Sequence, residues 1–414
     1  MELEHSHFLI SAIAEAQRIK EATHHLSRIE LTNYLLSSYN KFSDDVKEIF
    51  KNAMKDIIGY MAYKDASDLE IGGYGCAESI WLRVQGTKYK LSLPFKIDQL
   101  LTTCLILSIL NPLQIEYLAE NKNLDFSFEL EDKEKGTRQR FRCDAYFDLD
   151  EICLNARRIN PILRKLDTYD FNRAVRTIFS FNEFKSGLIL FTGITGMGKS
   201  TTLDAIIDWH NNNVQAHIVI IANPVEYVHK SNLCLIRHRE VGKDVKSFRD
   251  GIIQALRQDL DIMVVGEMRD PETIMAALEI TDTGHKVFST LHTSSAVESL
   301  DRIIAEFPPH EQERVRHRLA DVLLAIISQK LIPGLDGKLV LAKEILVVTP
   351  NIKAAIKNNN TSEVYYMISQ SEKMGMNTLE QDLIRLYKGR KISYDTALQY
   401  ANNKSLLKQM LGAL

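Results

Sequence analysis

The sequence predicts a two-domain α/β protein: a small mixed domain, then a mostly parallel sheet with helices on both faces. Three observations carry this. Apolar runs at 188–191, 218–221, 262–265 and 287–291 recur with helical segments between them, the rhythm of βαβ units. Shorter strand-like segments at 81–84, 126–130 and 140–147 precede them. Apolar residues at helical spacing mark both ends of the chain. The organisation expected is a helical extension over 1–45, an α/β domain over 46–165, a connector over 166–186, the parallel-sheet domain over 187–345 and a helical region over 346–414.

The elements follow in order. Leu9, Ile13, Ala16 and Ile19, then Leu26, Ile29 and Leu35, set out one or two helices whose function is not legible. Residues 65–71 read as a helix end running into a strand. Gln85-Gly86 is a turn after the strand at 81–84, and a polar turn at 131–137 joins the next two strands. Residues 167–186 hold a helix. After about residue 345 the pattern is helical to the end.

Composition narrows the class of function. The 51 basic and 54 acidic residues give a net charge of −3, which argues against a chain that holds nucleic acid or anionic lipid by bulk charge. A nucleic-acid translocase is disfavoured on that ground, and no direct nucleic-acid binding is expected. Hydrophobic residues make up 45% and charged residues 25%, as in an ordinary folded protein. The five cysteines form no C-x-x-C pair and read as reduced thiols of a cytosolic protein. The start, Met1-Glu-Leu-Glu4, lacks the basic opening of a signal peptide. The longest apolar stretch, 100–110, is too short to span a bilayer.

The strongest motif is Gly193-Ile-Thr-Gly-Met-Gly-Lys-Ser200, a full G-x-x-x-x-G-K-[ST] loop between an apolar strand and a helix. Its glycines allow backbone angles that turn successive N–H groups inward, and the following helix N-terminus adds a positive dipole. Lys199 places a positive charge at the β/γ-phosphates of ATP, and Ser200 offers a hydroxyl to Mg²⁺. The candidate nucleotide contacts are Gly193, Thr195, Gly196, Met197, Gly198, Lys199, Ser200 and Thr201. The strand 262–265 runs on to Glu267, a carboxylate at the strand end where such sheets bind ligands and a candidate general base. His292, just past the strand 287–291, is placed on the same edge to sense the γ-phosphate. His285 lies at that strand's opposite end, away from it.

These segments, with Val264-Val-Gly-Glu-Met-Arg-Asp270, Thr283-Gly-His285, Thr290-Leu-His-Thr293 and Gly375-Met-Asn-Thr-Leu379, resemble the secretion ATPase superfamily. The likeness is strongest to its PilT-like pilus-retraction branch, with DotB-like secretion or conjugation ATPases beside it. It implies a PAS-like N-terminal domain and a RecA-like ATPase domain. It further implies a ring hexamer with ATP between subunits, a cytoplasmic position at the inner face of the membrane and a membrane platform protein as partner. It points to Arg142 and Arg157 as arginines that reach the phosphates, with Arg158 an equal neighbour of the second, to Glu226 as a further acidic group, and to His285 as part of a histidine box. The chain departs from the family where Ala222-Asn-Pro-Val-Glu226 replaces a more acidic segment. The leading expectation is therefore an Mg-ATP-hydrolysing motor subunit. The alternative is a weakly hydrolysing accessory ring that modulates a partner ATPase.

Overall fold

The computed structural model describes residues 3–132, 137–159 and 163–412, so most of the polar turn expected at 131–137 lies outside the described residues. The chain forms two compact units. One comprises 1–161 with 223–227, the other 162–222 with 228–414.

In the first unit, helices His7–Thr23, Arg28–Ser38 and Asp44–Tyr63 each begin after a serine. Ser6 and Ser43 accept the N–H of Leu9 and Val46, and Ser27 forms a capping box with Glu30. Such caps satisfy N–H groups that the helix itself leaves open. Leu9, Ala12, Leu35, Phe50, Met54 and Ile57 bury into one core with the sheet and the helix Gln99–Leu107. Leu26 instead falls in the turn between two helices and Ile29 is exposed, so the stripe expected there is carried by Leu35 and Leu36. The stretch read as too short for a bilayer is that buried helix. Among the described residues no helix is long and apolar enough to cross a membrane.

The sheet of this unit consists of β1 (Asp68–Gly72), β2 (Ile80–Val84), β3 (Thr87–Lys90), β4 (Asn123–Asp132), β5 (Thr137–Asp148) and β6 (Glu151–Arg158). Its order is β3-β2-β1-β6-β5-β4, antiparallel throughout. Gln85 and Gly86, with φ of 47° and 84°, make the tight β2–β3 turn.

The second unit carries β7 (Gly187–Thr192), β8 (His217–Ala222), β9 (Leu235–Glu240), β10 (Ile262–Val265), β11 (Lys286–Leu291), β12 (Leu323–Pro333) and β13 (Leu339–Val347). The order is β13-β12-β7-β11-β10-β8-β9, parallel except for β12 with β13. Every residue of β7 is buried. Leu188 and Leu190 join a core with Ile252, Ile274, Leu300 and Val315 from four helices, while Ile189 and Phe191 join another with Phe179 and Ile206. Strand alternation thus feeds a helix layer on each face. The tail is helical from Pro350–Lys357 to Lys404–Gly412. Its last three helices form their own small core with Ile332 and Ala342.

Candidate active site

β7, β11 and β10 lie side by side and run parallel, so the residues after their C-terminal ends share one edge of the sheet. Gly193 follows β7, His292 follows β11, and Gly266-Glu267 follows β10. The helix Lys199–Asn213 starts directly from the loop, with Gly198 as its N-cap at φ 79°. Gly193, at φ 147°, has no room for a side chain, because a Cβ there would lie 2.6 Å from the Gln329 carbonyl oxygen on β12. Thr195, Gly196 and Ser200 are exposed, while Gly198 and Thr201 are half-buried. Met197 is half-buried too, and its Sδ accepts the Leu331 N–H at 3.2 Å. The Thr201 carbonyl accepts the Tyr169 hydroxyl at 3.0 Å. Below the loop the Gln329 amide donates to the buried Thr202 hydroxyl at 2.9 Å, and this pair ties the helix to β12.

Lys199 is buried, and its Nζ donates to the carbonyls of Gly193 at 2.7 Å and Ile194 at 3.1 Å. The same Nζ stands 3.5 Å from His292 Nδ1, and His292 Nε2 stands 3.4 Å from Glu267 Oε2. Burial, then the Lys199 ammonium, lower the His292 pKa, with Glu267 opposing. A neutral ring with its proton on Nε2 satisfies both neighbours: the Nδ1 lone pair faces the ammonium and Nε2–H faces the carboxylate. Thr290 steadies the turn by donating its hydroxyl to the Gly266 carbonyl at 2.6 Å. A phosphate-binding loop, a lysine, a neutral imidazole and a carboxylate therefore converge on one edge. This set can hold polyphosphate and accept a proton from water.

Sequence reasoning had not drawn out three further contacts. Arg269 Nε lies 2.7 Å from the same Glu267 oxygen, two residues on. Asp204, one helical turn after Ser200, holds the buried His229 at 3.0 Å. Gln329 presses on Gly193 from β12, a strand distant in sequence. Only the first had a sequence signal, an arginine beside the strand-end carboxylate. His285 lies where strand spacing put it, at the start of β11, with Nδ1 near Thr283 Oγ1 at 3.0 Å and the Ile280 carbonyl at 3.2 Å.

Arg142, Arg157 and Glu226 belong to the other unit. Arg142 and Arg157 are direct cross-strand partners on β5 and β6, so their side chains leave the same sheet face. Arg157 Nε donates to Asp68 at 2.8 Å, and Arg142 stands 3.6 Å from Asp125. Arg158 opposes Phe141, leaves the other face and pairs with Asp65. Arg142 and Arg157 are thus neighbours on one face of the sheet, with Arg158 on the other.

A phosphate loop at the head of a seven-stranded RecA-like sheet, with a carboxylate on the adjoining strand end, defines a nucleotide-binding P-loop ATPase. Residues 153–339 match the model of the type II/IV secretion system protein family. PilT of Pseudomonas aeruginosa, a type IV pilus retraction ATPase, is 36% identical over 346 residues, 84% of this chain and 97% of that protein. The chain belongs to this family of secretion ATPases. The crystal structure of the pilus retraction motor PilT with bound ADP superposes with a TM-score of 0.74 at 34% identity, covering 86% of this chain and 99% of that one. The Legionella pneumophila ATPase DotB superposes with a TM-score of 0.72 at 25% identity, covering 87% of this chain and 95% of the other.

Proposed function

We propose that this chain is the subunit of a hexameric, ATP-hydrolysing motor that drives type IV pilus retraction or a related secretion or conjugation machine. It works in the cytoplasm at the inner face of the membrane, against a platform protein. The observation that carries the reading is the run Lys199–His292–Glu267, with separations of 3.5 and 3.4 Å, at the mouth of the phosphate loop. In this reading the loop from Gly193 to Thr201 cradles the phosphates and Lys199 meets their charge. Glu267 takes the proton of the attacking water, and His292 reports the γ-phosphate to it. Arg142 and Arg157 supply positive charge that couples hydrolysis to closure, and Glu226 helps to order water.

The donor chemistry fits Mg²⁺. The exposed Ser200 hydroxyl on the first helical turn and the Glu267 carboxylate are oxygen ligands of the kind a hard cation takes. No group of three or more metal-binding side chains occurs among the described residues, which suits an ion that arrives with the nucleotide phosphates. Such an ion neutralises phosphate charge, and Ser200 would hold it.

The second reading, a weakly hydrolysing accessory ring, rests on Ala222 and Asn223, which put an alanine at the last position of β8 and an amide directly after it. Steady-state Mg²⁺-dependent ATP hydrolysis by the assembled protein, beside Glu267→Gln, separates the two. The motor reading expects turnover that drops at least about tenfold in the variant. Tight ATP binding with equal, residual turnover in both proteins would favour the accessory ring. Sedimentation of the nucleotide-bound protein tests the hexamer.

A further inference from the structure

The first unit contains a cavity of about 520 Å³ between its N-terminal helices and its sheet, within the volume range of small-molecule sites. Two ion pairs cross it. Lys20 on the helix His7–Thr23 meets Asp98 at 2.8 Å, and Arg28 on the helix Arg28–Ser38 meets Glu151 of β6 at 3.5 Å. The two pairs differ in quality. Asp98 is well satisfied, since its other oxygen also accepts the Leu101 N–H at 3.0 Å. Glu151 is only 8% exposed, and its one polar side-chain partner among the described residues is the long contact to Arg28. A carboxylate so short of protein donors keeps lone pairs open to a ligand in the cavity. Burial raises its pKa, and Arg28 opposes this only in part.

We propose that this cavity binds a small organic cation, an amine or guanidinium compound of amino-acid size, whose N–H groups meet Glu151. The wall holds three carboxylates: Asp98 and Glu78 each meet an ammonium closely, Lys20 at 2.8 Å and Lys96 at 2.7 Å, while Glu151 has only the Arg28 contact at 3.5 Å. The Lys20 and Arg28 side chains are both more than half exposed, so either can swing into water at little cost. Glu151 cannot. An anion that captured Arg28 would strand the buried carboxylate, whereas a cation that captures Glu151 releases Arg28 to solvent. Tyr74, 64% exposed on the cavity rim, already lies 5.7 Å below the Arg28 guanidinium. Release of Arg28 would free that ring face for a ligand cation. A carboxylate on the same ligand would find Arg28. Such an occupant would bridge the N-terminal helices to the sheet, which the long Arg28–Glu151 pair now does weakly.

The test is calorimetric titration of the full-length protein with agmatine, putrescine and L-arginine, and with glutarate as the anionic control. Saturable binding of at least one amine with a Kd under about 1 mM is expected, with glutarate silent. Glu151→Gln should weaken that binding at least tenfold. Should Glu151→Gln fail to fold, Tyr74→Ala, at an exposed position, should weaken it severalfold. Arg28→Met should leave agmatine and putrescine bound at least as tightly, while L-arginine loses its advantage over agmatine. Absence of binding by all three amines to 10 mM would overturn the proposal, as would glutarate binding that survives in Glu151→Gln. Neither result bears on the ATPase reading, because none of these residues belongs to the phosphate site.

Discussion

Replacing Gly193 by alanine should damage the phosphate loop far more than replacing Gly196, although both glycines stand in the same motif. Each has a positive φ, 147° and 84° respectively. For alanine the left-handed region alone costs about 1–2 kcal/mol. At Gly196 nothing lies within 4 Å of an added Cβ, so that strain is the whole cost, about fivefold to thirtyfold in nucleotide affinity. At Gly193 the added carbon would sit 2.6 Å from the Gln329 carbonyl oxygen and 3.2 Å from Met197 Cβ. The first of these is backbone of β12, which pairs with β7 up to Ser328 and with β13 at Gln329 itself, opposite Lys343, and it cannot move without disturbing that register. Strain and displacement together come to at least about 3 kcal/mol, or more than a hundredfold in affinity. Titration with a fluorescent ADP analogue measures the affinity, and thermal melting shows how much of the cost reaches the fold. Gly193→Ala should also lower Tm by roughly 5 °C or more, and Gly196→Ala should leave it nearly unchanged. Equal losses in the two variants, or a Gly193→Ala protein that binds like the parent, would refute the steric account.

Lys286 is fully buried on β11 and donates to the carbonyls of Ile178 at 2.8 Å, Phe184 at 3.0 Å and Ser180 at 3.3 Å. Burial lowers its pKa from 10.5 to about 7, so the unfolded chain binds the extra proton between those values and stability rises with pH across that window. Denaturant melts at pH 7 and 9.5 should show the rise, bounded by about 5 kcal/mol over the whole window, and Lys286→Met should remove it. Glu344 behaves oppositely. Burial raises its pKa from 4.5 to about 7, so the folded state holds the proton longer and stability falls as pH climbs between those values. Glu344→Gln, which keeps an acceptor for the Ala296 N–H now bonded at 2.7 Å, should flatten that slope in the same melts. Asp204→Ala removes the carboxylate partner of the buried His229 and should cost about 1–3 kcal/mol, read as a lower denaturation midpoint with Asp204→Asn in between.

Four parallel strands of the second unit were legible as apolar runs because β7, β8, β10 and β11 are covered on both faces. The edge strand β9 was not, since in Leu235-Ile-Arg-His-Arg-Glu240 the last four residues are polar and fall on both faces. β12 was hidden for another reason. It continues straight from the helix Pro309–Val322 with no glycine or proline between, so periodicity has nothing to mark the change.

The sequence by itself determined the phosphate loop, its flanking strand and helix, and the strand-end carboxylate Glu267, because these depend on residues adjacent in the chain. It also placed His285 and His292 at opposite ends of one strand, by counting. Only tertiary structure decided that His292 bridges Lys199 and Glu267, that Gln329 closes over Gly193, and that Arg157, not Arg158, stands beside Arg142. Each of these depends on strand order and register between segments distant in sequence. A slip of one residue turns a side chain to the opposite face, and local pattern carries no record of which partner strand fixes that register.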